Sequence, residues 1–437
     1  MNNTVDGKAP LIYFVPFAIT FMDSAFAYFA HPLGFTLTAN AAVPFILLYF
    51  GVCNYQALRL PQSTLVWLGV LIGSFCLAVL TANDMSFHRI PESVSCMASF
   101  YSGYLLWRRA ADSNQLARWL IWLSLVYVVI CLVALSYRYP AHFPVNIHYW
   151  SQDGLAQGRP MVTADSNMQF YYVFPAALAL LLPFRLFRTT LAAVVVVGGL
   201  YVLAQLQTRS GSLSYAGVLV LVLLAPLWNK ELGRAKMLLY PLVALAAVIT
   251  FRPIVQHAFE LLLYRLNEPD MASGNGRVGS TLYIFNHLLD PYWWIPRGAD
   301  EFLHRYGGLP HSNLTAVFLD GGMAGMLAWI ALVVAPIVQG CALLFRRRLD
   351  GACIMALIGA IGVLMVQLSL HNPLRDQIWL WAGALIGALT RVRMQATSQV
   401  TSAAPEQGVP TALRVDAAGI INSTDTCLSS ASLRRLG

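Results

Sequence analysis

Charge is what this sequence has least of. Only 11% of its 437 residues are Asp, Glu, Lys or Arg, while 58% are hydrophobic; soluble domains carry about 25% charged residues. A water-facing surface needs those charges, so a soluble enzyme of this composition would have to expose most of its apolar side chains. The same argument excludes a nucleic-acid-binding protein, although the formal net charge is +8. Other absences narrow the chemistry. No Walker loop, HExxH or Asp-x-Asp motif occurs, which argues against a metal-dependent nucleotide-sugar transferase. The cysteines, at 53, 76, 96, 131, 341, 353 and 427, contain no CxxC spacing. They read as small apolar core residues, with neither a disulfide framework nor a zinc site indicated.

What the chain has instead is long apolar runs. A bilayer core takes roughly 20 apolar residues per helix. Stretches near 10–30, 36–53, 64–82, 91–107, 118–136, 168–184, 189–206, 211–228, 236–252, 313–340, 352–370 and 375–390 meet that need. Continuous runs such as LAAVVVVGGLYVLAQL, without strand-like alternation, indicate helices rather than a barrel. The sequence therefore predicts an all-α integral membrane protein of about 12 transmembrane helices, with residues 1–394 as its membrane domain. The first run has one preceding lysine and no clear small-residue cleavage site, so a retained first helix is expected.

Arginine and lysine orient the chain. With the N-terminus cytoplasmic, the short inside loops hold Arg59, Arg108, Arg109, Arg118, Arg185, Arg188, Lys230, Arg234, Lys236, Arg346, Arg347, Arg348, Arg391 and Arg393. That density satisfies the positive-inside rule and predicts both termini in the cytoplasm. Two outside segments, about 137–167 and 253–312, are too long for simple connectors. The second would be one large periplasmic loop between helices 9 and 10. Both are rich in aromatic and apolar residues (NIHYW, HAFELLLYRL, PYWWIP), which suits short amphipathic helices at the membrane surface. From 395 to 437 the composition turns polar and small, as in a disordered cytoplasmic tail.

Every basic residue assigned outside is arginine: Arg89, Arg138, Arg159, Arg209, Arg252, Arg265, Arg277, Arg297, Arg305 and Arg375. Arginine's planar fork binds phosphate bidentately, whereas lysine is a point charge. Two readings stand. The arginines pair with outside carboxylates (Asp153, Asp165, Glu268, Asp270, Asp290, Asp300, Glu301, Asp376), or they hold a di- or polyphosphate at the outer leaflet. Arg209, in LQTRSGSLSYAG, opens a span, where a helix N-terminus favours anions; interfacial snorkelling is the plainer alternative. His311, in GGLPHSNLTAVFLDGGMAG, opens the tenth span with Ser312 or Asn313 to cap it. Histidine as a residue type titrates near neutrality, which suits removal of a proton from a hydroxyl. His371, beside Arg375 and Asp376, is a second histidine of this kind. Asp23 and Asp320 would serve ion coupling in a transporter, but no chain of acids crosses the membrane. Gly321, Gly322 and Gly325 most simply permit close helix packing.

Three blocks carry a resemblance. GRPMVTADSNMQF, TRSGSLSYAGVLVLVLL and the long stretch from SGNGRVGSTLYIF to GGLPHSNLTAVFLDGGMAG are similar, in content and order, to segments of the O-antigen ligase and O-antigen polymerase superfamily of bacterial envelope proteins. They cover about 150–340. The chain departs from the pattern in that Pro310 precedes the histidine and Ser312 separates it from Asn313. The resemblance implies a glycan transferred from undecaprenyl pyrophosphate at the periplasmic face of the inner membrane, without metal or cofactor and with inversion. It implies catalytic roles for His311 and Arg277 and a place for Arg159 and Arg209 on the pyrophosphate, which Arg138, Arg265 and Arg297 would join. A ligase, with a lipid A-core sugar as acceptor, fits best with one dominant outside loop and modest length. A polymerase on the same carrier is the alternative, and a protein O-oligosaccharyltransferase fits less well. A lipid-linked oligosaccharide flippase belongs to a different class and would line a central cavity with charge instead.

Overall fold

The computed structural model describes residues 11–30, 43–81, 89–110, 112–138, 169–205, 209–228, 290–297, 313–367 and 376–403. Among these residues the regular structure is helical, with no strand. The helices are α1 (Leu11–Ala30), α2 (Val43–Leu58), α3 (Gln62–Thr81), α4 (Arg89–Arg109), α5 (Ser113–Arg138), α6 (Gln169–Val173), α7 (Pro175–Leu178), α8 (Leu186–Gln205), α9 (Arg209–Trp228), α10 (Asn313–Trp329), α11 (Ala335–Phe345), α12 (Gly351–Gln367) and α13 (Asp376–Ala403). Three described stretches are long and apolar enough to cross a membrane: Ser113–Val133, Leu186–Leu203 and Ala316–Phe345. Many large apolar side chains of the described residues are exposed. Val52 is 82% exposed, Phe187 79% and Leu80 76%, and so wide an apolar exterior suits hydrocarbon rather than water. Helices are what hydrocarbon demands of a spanning backbone, because each satisfies its own N–H and C=O groups.

Helices stand at all the apolar stretches but 236–252, which lies outside the described residues. Three local details differ from the sequence reading, each for a backbone reason. The stretch expected to span 168–184 is a broken element. It runs through α6, a turn at Phe174, α7 opening on Pro175 and a 3-10 turn at Ala179–Leu181, before Leu182 goes extended ahead of Pro183. Proline lacks an N–H, which interrupts the ladder at Pro175, and it favours an extended predecessor, as at Leu182. Second, the long apolar helical stretch Ala316–Phe345 contains a π-helical turn, Ile330–Val334, two residues before Pro336. The missing proline donor is accommodated there by loosening the ladder. Third, α13 continues to Ala403, past residue 394, since no glycine or proline interrupts the chain until Pro405.

Contacts fix the directions of the helices. At one end, the Tyr104 hydroxyl and Arg108 of α4 both donate to the Arg59 carbonyl ahead of α3 (2.8 Å each). Trp107 donates to Ala352 at the start of α12 (3.1 Å), and Arg188 near the start of α8 reaches Asn114 at the start of α5. At the other end lie Thr81 closing α3, Gln169 opening α6 against Tyr127 and Cys131 of α5, Gln367 closing α12 and Gln377 opening α13. Neighbouring helices therefore alternate up and down. Between the ends, an aromatic hub of Phe17, Trp107, Phe174 and Trp381 fills the centre.

Arg391 ties the first end together. Its guanidinium donates to the carbonyls of Trp107 (2.8 Å) and Ala110, which end α4, and to both oxygens of Asp350 (2.9 and 2.6 Å). Asp350 also caps α12 by accepting from the Cys353 amide (2.7 Å). An arginine at a helix C-terminus satisfies the carbonyls left without donors. Arg391→Leu should cost about 2 kcal/mol, most of it from the buried carbonyls. A melting temperature in detergent will report it, and an unchanged value would mean the clamp contributes nothing.

Candidate functional site

The most informative segment outside the long helices is Asp290–Arg297, DPYWWIPR. Asp290 accepts a hydrogen bond from the Tyr292 amide (2.9 Å) and so caps the short 3-10 turn Pro291–Trp294, whose first residue is proline. This is an ordinary local solution for an Asp-Pro start. Tyr292 then packs against Phe318 and Leu319 of α10, which Met323 and Met326 also flank, holding the segment as a strap against that helix.

The strap lies against a break. Within α10, Gly322 adopts φ 60°, ψ −162°, a region essentially restricted to glycine. A Cβ there would run into the Trp294 carbonyl oxygen, and would meet Pro296 N at 2.9 Å and Pro296 Cδ at 3.0 Å. The Arg297 amide donates to the Leu319 carbonyl in the turn before the break (3.2 Å). From the other side, the Thr81 hydroxyl at the end of α3 donates to the Pro296 carbonyl. Gly321 and Gly325 do what the sequence suggests and face Ser74 of α3, whose hydroxyl turns back to the Leu71 carbonyl (2.7 Å). Gly322 does something else. Asp320, two residues earlier, is buried at 2% exposure.

Arg297 emerges from this arrangement with a fixed side chain. Its guanidinium lies 4.1 Å from the centroid of the Tyr292 ring, and its Nε donates to the Tyr292 carbonyl (3.3 Å). Among the described residues no carboxylate pairs with it. The guanidinium is thereby held in one plane, partly buried, at the bundle end that carries Thr81. Cation–π contact of this kind is worth about 0.5–2 kcal/mol.

Beneath that end runs a buried polar layer. The Tyr127 hydroxyl donates to Gln169 Oε1, with Cys131 Sγ 3.6 Å from the same oxygen. Gln367 Nε2 donates to the Tyr171 hydroxyl (2.6 Å), and Tyr172 stacks on Tyr127 with 4.2 Å between centroids. Gln377 Nε2 donates to the Phe21 carbonyl (3.2 Å). These bonds join the ends of α5 and α12 to α6, and the start of α13 to α1. Interhelical hydrogen bonds in membranes average about 0.6 kcal/mol each, so the layer sets geometry more than stability.

Of the residues singled out from the sequence, Arg138 is the last of α5 and Arg209 the first of α9, both at the Thr81 end. Arg297 is there too, on the strap. The structure thus brings these three to one end of the bundle. His311, Arg277, Arg159 and Arg265 lie outside the described residues, as do His371 and Arg375. Sequence reasoning read Gly322 as a packing residue, whereas it breaks the helix, and missed Thr81 and Tyr292. The Asp-Pro start was a visible turn signal, but nothing in GGMAG tells which glycine breaks the helix. No family model matches the chain, and no curated protein matches it.

Proposed function

We propose that this chain is an inner-membrane glycosyltransferase, an O-antigen ligase that moves a glycan from undecaprenyl pyrophosphate to a lipid A-core sugar hydroxyl at the periplasmic face. In this reading the membrane domain has twelve spans, with 236–252 as the ninth, cytoplasmic termini and a periplasmic loop at 253–312. The observation that carries it is Arg297, a guanidinium oriented by Tyr292 on the bundle end shared with Arg138 and Arg209. The opposite end supports the orientation, because Arg59, Arg108, Arg188 and Arg391 gather there as cytoplasmic arginines do.

The chemistry follows from the residue types. The acceptor hydroxyl oxygen attacks the anomeric carbon while its proton passes to His311. The bond from that carbon to the pyrophosphate oxygen breaks, the leaving group takes the electron pair, and one displacement inverts the configuration. Arg277, with Arg159, Arg209, Arg265, Arg297 and Arg138, would stabilise the charge developing on the pyrophosphate; such preorganised donors act without a metal. A centre filled by Trp107, Phe174 and Trp381 favours this class over a flippase with a charged central cavity. Deletion in the native host separates ligase from polymerase. Loss of the ligase should leave long polymer on undecaprenyl pyrophosphate, whereas cores capped by a single repeat would assign the polymerase role instead.

A further inference from the structure

The break in α10 raises a question that the reaction alone does not answer. A glycine-only conformation inside an apolar helix forfeits regular hydrogen bonding, and any residue with a Cβ would be strained there. Here that glycine is the one against which the strap backbone rests. Gly322 is needed twice, once for its positive φ and once because Trp294 and Pro296 occupy the space of a side chain. The strap is then held at three places: the Arg297 amide on the Leu319 carbonyl, the Pro296 carbonyl under the Thr81 hydroxyl, and Tyr292 against Phe318 and Leu319; within it, Asp290 caps the turn. Two prolines, 291 and 296, stiffen what lies between. The only long polar side chain of the strap is Arg297, and its guanidinium is tied to Tyr292 of the same strap.

We infer that the break at Gly322, with the Thr81 hydroxyl, is a mount that fixes the Asp290–Arg297 strap and so holds the Arg297 guanidinium in one orientation for the oxyanion of a lipid diphosphate. The inference rests on the proposed function for its ligand but not for its mechanics. A guanidinium already oriented loses little freedom on binding, so the mount adds affinity by preorganisation. Gly322 and Thr81 touch no substrate. They act through Arg297 and are positioning residues.

The test uses full-length protein in detergent or nanodiscs, with farnesyl diphosphate as the probe, and two readouts. Amide hydrogen exchange of the peptide covering 290–297 should be slow in the wild type and at least about tenfold faster in Gly322→Ala, which drives a Cβ into the strap, and in Thr81→Val, which removes a tether. Binding of farnesyl diphosphate should weaken about 10- to 100-fold in Arg297→Ala, the scale of a lost charge-assisted contact. Gly322→Ala should weaken it comparably, and the double variant Gly322→Ala/Arg297→Ala no further, as expected of residues acting through one another. Unchanged exchange overturns the mount. Additive losses in the double variant, or no farnesyl diphosphate binding by the wild type, overturn its role in holding the anion. Thr81→Val keeps the test intact if Gly322→Ala does not fold. Neither readout needs glycan transfer, so absent transfer with these results in place would remove the ligase reading and leave the mount standing.

Discussion

Gly383→Ala should destabilise the protein by about 3 kcal/mol or more, and Gly383→Leu should yield no folded protein. The reason is a backbone contact between α4 and α13. A Cβ at Gly383 would run into the Phe100 carbonyl oxygen and lie 2.8 Å from its carbon. One turn on, Gly387 presses on the Tyr104 carbonyl, and from α4 Gly103 meets Ala384 N at 2.8 Å. Small residues are how helices in hydrocarbon approach this closely, because packing replaces the missing hydrophobic drive. Backbone cannot rotate aside as a side chain can, so the helices must separate, and overpacking of that kind costs about 1–3 kcal/mol or more. Separation would also pull Trp107 and Arg391 apart. Gly69 is the control. It is exposed on α3, and a methyl group added there would meet nothing within 4 Å; Gly→Ala in a helix interior gains about 0.5–1 kcal/mol. The same substitution should therefore raise the melting temperature at 69 and lower it sharply at 383. Equal melting temperatures would show that the α4–α13 contact is not tight.

The second large effect concerns chemistry. His311→Ala should reduce glycan transfer by about 10²–10⁴-fold, the usual contribution of a positioned general base. Arg277→Ala should reduce it by about 10²–10³-fold, the scale of one lost electrostatic contact in a preorganised site. Neither should change the melting temperature appreciably. A fall in stability that matched the fall in rate would assign these residues to structure instead.

How much of this was legible beforehand depends on what the physics writes into the sequence. Burial in hydrocarbon selects apolar residues over long runs, so the helices stood where such runs occur. Proline was in view but underweighted: Pro175 and Pro183 break 169–184, which the apolar run alone made one span. The break at Gly322 was not legible. Gly321, Gly322 and Gly325 share one motif, yet two face Ser74 of α3 and one turns the backbone to positive φ. What separates them is the strap at Asp290–Arg297, well before them in the chain, and local periodicity carries no record of it. The same holds for the site. Residue type singled out Arg297 as an anion ligand, but the ring beneath it and the hydroxyl of Thr81 are contacts that residue type does not announce. Gln169 and Gln367 were silent for the same reason, since a glutamine in an apolar run does not name its partner.

The central claim is that the arginine-bearing end of this bundle handles a lipid pyrophosphate while His311 deprotonates the acceptor. The most direct test gives purified protein undecaprenyl-pyrophosphate glycan and lipid A-core, and follows the product on a gel. The account predicts glycan on the core with wild-type protein, and almost none with His311→Ala or Arg277→Ala at unchanged folding. Full transfer by both variants would contradict it.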